Sequence, residues 1–142
     1  MSTRIKIAFA CYLLVGLAFM VIGLRYILSS QIMPYHQEVI GVNWGDLSPR
    51  IQKMFLAFLH GTGTAMFVFG LTVLILLFIP FRRGEVWSRW ALPVLCLPLQ
   101  ITMLYTALDL HLSTHASTPW PFAAFLTVTV LVAIALSIER KP

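Results

Sequence analysis

Apolar residues fall into four long runs, at about residues 5–28, 51–79, 87–110 and 121–138, with polar stretches between them. A helix crossing a bilayer needs about 20 apolar residues, with a range of about 17–25. Each run therefore predicts one membrane-spanning helix, and together they predict an all-α transmembrane four-helix bundle as a single domain. The second run exceeds the bilayer's need, so its first turn, with Gln52 and Lys53, is expected to reach the headgroups, or the helix to tilt. Start and stop signals agree with the runs. Ser48 before Pro49 reads as an N-cap and first-turn pair, and Thr118 to Pro121 repeats it before the fourth helix. Pro80 and Gly84 mark a turn after the second run. Pro93 and Pro98 lie inside the third run and are expected to bend it by freeing the carbonyls of Arg89 and Val94.

Composition makes lipid the expected solvent. The 142 residues are 59% hydrophobic and 11% charged, with a mean hydropathy of +0.88. Average soluble domains carry about 25% charge. The net charge of +5 forms no basic patch with interleaved aromatics, so no nucleic-acid partner is expected. The basic residues instead flank the apolar runs. Arg4, Lys6, Arg82, Arg83, Arg89, Arg140 and Lys141 fall on one side, and Arg25, Arg50 and Lys53 on the other. That bias predicts a bacterial inner-membrane protein with both termini and the Arg82–Arg89 connection in the cytoplasm. Trp44, Trp87, Trp90 and Trp120 sit near the predicted interfaces, as an aromatic belt requires. The first run is too long for a signal-peptide core of about 7–15 residues, so it reads as a retained helix. Cys11 and Cys96 lie within apolar runs without metal-ligand spacing and read as packing residues.

The longest connection, residues 29–48, is the only one with room for structure outside the bilayer, and a short interfacial helix is expected near residues 35–40. On the third helix Thr102, Tyr105, Thr106 and Asp109 recur at i, i+3, i+4 and i+7, so they share a face. Arg25 lies near the outer end of the first helix, and His60 roughly 8–13 Å inside the outer boundary on the second. These six residues are the candidate pocket, with Arg25 and Asp109 expected to pair. His36, His111 and His115 are assigned to the outer loops, because "STHASTP" looks poor in helix. Ala57, Gly61 and Ala65 form a small-residue ridge, with Gly16 and Gly23 as its expected partner.

Three readings of the polar cluster stay open. It could be structural, with Arg25 and Asp109 paired. It could be a binding or redox pocket open to the outer face, since ionisable residues inside a membrane are functional candidates. It could be a metal or haem site, although His60 has no opposing histidine at its depth and no metal ligand set is assigned. Catalytic residues are not identifiable, because GxSxG, HExxH and P-loop signatures are all missing from the sequence.

The stretch "FRRGEVWSRWALP" resembles the cytoplasmic loop of small four-span bacterial membrane proteins, DoxX-like proteins among them. "MPYHQEVIGVNW" followed by a span is similar to a group of uncharacterised bacterial proteins of this length. The resemblance implies a membrane-embedded accessory or redox role and transfers no catalytic residue. Sterol-isomerase-like four-span proteins are a further analogy, with only partial counterparts to their acidic and histidine residues. The expected function is an accessory or small-ligand-binding membrane protein with an outward-facing polar pocket between the first three spans, holding a lipid, a quinone or a helix of a larger complex. The alternative is a small redox or isomerase enzyme using His60 and Asp109 for proton transfer. The expected partners are the lipid bilayer and other membrane subunits. No particular cofactor is implied; a quinone or lipid is the candidate.

Overall fold

The computed structural model describes residues 2–138. Five α-helices follow one another: α1 (Thr3–Ile27), α2 (Pro34–Ile40), α3 (Pro49–Leu76), α4 (Ser88–Thr114) and α5 (Trp120–Ser137). Among the described residues, α1, α3 with its extension to Phe81, α4 and α5 are long and apolar enough to cross a membrane. The chain is a multi-pass, all-helical membrane protein. Arg140 and Lys141, which the charge count used, lie outside the described residues.

Local chemistry accounts for the helix ends. The Ser2 side chain accepts the Ile5 N–H at the start of α1. The carbonyl of Ser48 accepts from Gln52 N–H, but the Ser48 side chain makes no capping bond, and Pro49 does the pre-organising. At α5 the cap position belongs to Pro119, while the Thr118 hydroxyl donates to the Ala107 carbonyl of α4 at 2.7 Å. Pro80 lies inside a π-turn over Leu77–Phe81. Its missing N–H removes an ordinary helical bond, and Arg82 N–H reaches back five residues to Leu77 instead. Gly84 then turns the chain at φ +79°.

One boundary departs from expectation. Helix α4 continues through His111 to Thr114, so Ser113 and Thr114 are helical and His111 is not a loop residue. The Ser113 and Thr114 hydroxyls donate to the carbonyls of Asp109 and Leu110. Satisfied this way, they do not compete with the backbone. The helix stops at His115, which takes the left-handed conformation at φ 56°, a place usually given to glycine.

The spans do not pack equally. Helix α1 runs against both α3 and α5, and α4 lies against α5, while α3 and α4 touch only sparsely. The α1–α3 seam is built on glycine. A Cβ added to Gly70 would stand 2.5 Å from the Gly16 carbonyl oxygen, and one on Gly23 would stand 2.6 Å from that of Gly63. Gly16 and Gly23 thus serve as expected, but their partners are Gly63 and Gly70. The ridge of Ala57, Gly61 and Ala65 is exposed, and a Cβ on Gly61 would meet nothing within 4 Å. Residues Tyr12, Val15, Phe19, Val73, Leu77, Leu92, Cys96 and Val130 fill the core. Cys11 and Cys96 are free thiols. At one end of the bundle the Arg4 guanidinium donates to the Ala135 carbonyl at 3.1 Å, which puts the start of α1 beside the end of α5. Helix α2 closes the opposite end.

Candidate functional site

A cavity of about 660 Å³ opens at the α2 end of the bundle. Its size falls within the roughly 300–1,000 Å³ typical of small-molecule sites. All four spans and α2 line it, so it is wider than a pocket between three helices. Helix α1 contributes Phe19, Ile22, Arg25 and Tyr26; α3 contributes Thr62 and Met66. Helix α5 and the turn before it give Thr118, Phe122 and Leu126, and the α2 segment covers the top with Met33, Pro34, Tyr35 and His36. The wall is mainly apolar, with a few polar groups set into it.

On α4 the lining residues are Gln100, Thr102, Met103, Thr106, Ala107 and Leu110. Gln100, Met103, Ala107 and Leu110 continue from Cys96 at spacings of four and three, the inward stripe of a helix. Thr102 and Thr106 flank that stripe and reach the cavity edge. Tyr105 and Asp109 do not. Tyr105 is 69% exposed and Asp109 is exposed. The shared polar face read from the sequence therefore divides, with its two threonines toward the cavity and its tyrosine and acid away. Tyr105 is two positions from both Met103 and Ala107, about half a turn on a helix.

Arg25 lies in the last turn of α1, lines the cavity and is exposed. No ion pair joins it to Asp109 among the described residues. Its position at the C-terminal end of α1 suits a cation on dipole grounds alone. His60 does not line the cavity. Its Nε2–H donates to the Ser29 carbonyl at 2.9 Å, pinning the chain where it leaves α1. His60 and Asp109 are thus not brought together as a proton-transfer pair. His111 is half-buried, and its Nδ1–H donates to the Ala116 carbonyl at 2.8 Å. His115 is exposed. Among the described residues, no three His, Cys, Asp or Glu side chains gather as a metal site.

The sequence assigns His36 to an outer loop rather than to the pocket. It lies on α2, whose start at Pro34 and left-handed stop at Gly41 match the expected interfacial helix. The His36 ring packs against Tyr26 and Tyr35, and the two tyrosine hydroxyls are hydrogen-bonded to each other. Burial lowers the His36 pKa from its usual value, favouring neutral imidazole. Burial, then the bond to Tyr26, pushes the Tyr35 phenol up, so it stays protonated. Glu38 ties α2 to the α4–α5 turn by accepting the Ser117 N–H at 2.6 Å.

Gln100 was missed altogether. It is 1% exposed, lines the cavity, and its Nε2 finds no hydrogen-bond partner. A lone glutamine in an apolar run is a signal visible in the sequence, but nothing there tells whether it is buried. Comparison with known proteins adds nothing to this site: no known protein family, curated protein or solved structure matches the chain.

Proposed function

We propose that this protein binds a membrane-soluble small molecule, a lipid or a quinone, in the cavity beneath α2. In this reading it sits in the bacterial inner membrane, its termini in the cytoplasm and its cavity toward the outer leaflet, with the loosely DoxX-like layout of an accessory subunit. One observation carries the proposal: a 660 Å³ space between four apolar spans, walled mainly by apolar side chains and holding a few polar ones. That is the composition of ligand sites, in which apolar walls give affinity and sparse polar groups fix orientation. The arginine bias supports the membrane orientation.

The test is to extract the protein with its native lipids and identify bound small molecules by mass spectrometry, with absorbance spectra to reveal a quinone. The wild type should carry a molecule in near-stoichiometric amount. Ala107→Trp, which fills the cavity from α4, should lose it while remaining folded. Equal retention by the variant would refute the cavity as the site. A stoichiometric protein subunit in the same preparation would identify the complex it serves. A periplasm-active reporter fused after Pro142 should be silent if the proposed orientation is right.

A further inference from the structure

The lower end of the cavity is unusual in what it lacks. On each span the lining residue farthest from α2 is Phe19, Met66, Gln100 or Leu126. These four form the floor, and only Gln100 among them has a polar side chain. Its amide Nε2 is fully enclosed and without a partner. A buried donor left unmet is costly, and native interiors rarely keep one. A water held there needs two to four polar partners, and Phe19, Met66 and Leu126 offer it none. Gln100 thus sets an unmet hydrogen-bonding group at the floor of a mainly apolar chamber that reaches about 15 Å along α4, from Gln100 to Leu110 at 1.5 Å per residue.

The chamber also has a side door. Helices α3 and α4 touch only sparsely, and the lining residues Thr62, Thr102 and Thr106 on their two edges are exposed. In a membrane-spanning bundle this opening faces lipid rather than water. A molecule dissolved in the bilayer can pass through it without crossing the α2 cover.

We infer that the occupant is a membrane-soluble molecule with an uncharged oxygen function, a carbonyl or hydroxyl, at its buried end, which hydrogen-bonds the Gln100 amide while the apolar remainder extends toward the gap between α3 and α4. This rests on the cavity being a ligand site and adds the chemistry and direction of the ligand. The floor carries no charge, so a carboxylate or phosphate would be desolvated there without a counter-ion. The cavity's cation, Arg25, stands at the opposite end.

The test uses the whole protein in lipid nanodiscs with three probes of equal length: 2-dodecanone, dodecane and dodecanoate. Binding is measured relative to each probe's partition into the lipid, and the ketone's carbonyl stretch is followed by infrared spectroscopy. The wild type should bind 2-dodecanone about tenfold more tightly than dodecane, the scale of one buried hydrogen bond, with the carbonyl band moved to lower frequency. Gln100→Leu should bind dodecane as the wild type does, lose the preference for the ketone and restore the band. Gln100→Met provides the same comparison if the leucine variant does not fold. A ketone preference that survives both substitutions overturns the inference and leaves the cavity as a ligand site. Preference for dodecanoate that disappears in Arg25→Gln also overturns it, because the polar end then sits at the opposite end of the cavity. Failure of all three probes to bind the wild type would remove the cavity reading as well.

Discussion

Helix α3 has two neighbours and treats them in opposite ways. Toward α1 it presents Gly63 and Gly70, and the backbones come so close that an added methyl on either would strike a carbonyl oxygen or backbone nitrogen of α1. Toward α4 it presents Thr62 and Met66 to an open cavity. Lipid tails are as apolar as leucine, so a span gains little from burying apolar side chains against another. Close backbone packing and hydrogen bonds must hold the helices together instead. The α1–α3 seam meets that requirement, while α3 and α4 touch only sparsely beside the cavity. One side of the helix is closed by backbone contact and the other borders the cavity proposed as a ligand site.

The largest expected effect comes from breaking the seam. Gly70→Ala should destabilise the protein by about 1–3 kcal/mol, the range for overpacking a tight contact. Gly61→Ala, where nothing lies within 4 Å, should be neutral or slightly stabilising because alanine favours helix. Thermal unfolding in detergent measures both, and equal effects would erase the distinction between the faces. Next comes the cavity floor. Gln100→Leu should raise the stability of ligand-free protein by about 1 kcal/mol, since it removes an unmet buried donor. A loss of similar size would mean that the amide is satisfied.

A smaller effect is expected at the cover. The folded-state pKa of His36 is lowered by burial, among Tyr26 and Tyr35, with Arg25 lining the same cavity. Above about pH 6.5, the usual histidine value, the ring is neutral whether α2 is docked or not. As the pH falls below that value, the undocked state takes up the proton first, so docking weakens, and the loss is complete once the pH passes the folded pKa. Trp44, whose backbone N–H donates to Gln37 of α2 at 2.9 Å, should report this as a fluorescence change on acidification that His36→Gln abolishes. The smallest effect concerns two charges that do not meet. Arg25→Gln and Asp109→Asn should have additive effects on stability, with a coupling near zero. A large coupling would place the two side chains in contact.

Much of the architecture was legible in the chain. Four apolar runs became four spans because a segment in lipid must satisfy its own backbone hydrogen bonds, and a helix does so locally. A short helix near residues 35–40 was expected and α2 is there, the glycines of α1 were recognisable as contact points, and Arg25, Thr102 and Thr106 do line the cavity. The assignment of inward and outward faces was not legible. In water, polarity tells a helix which side to bury. In lipid both sides are apolar, so the polar stripe of Tyr105 and Asp109 could be mistaken for an interior one.

What the sequence determined alone is therefore what depends on local chemistry: the number of long apolar helices and their approximate ends. Tertiary structure decided what depends on which helices touch. It matched Gly16 and Gly23 to Gly63 and Gly70 rather than to the exposed ridge around Gly61, drew His60 to the Ser29 carbonyl and enclosed Gln100 at the base of a cavity. The physical reason is that helix–helix contact in a membrane is selected by shape, through close fit between particular small residues. Shape complementarity between distant segments belongs to the assembled bundle and not to any one stretch of chain.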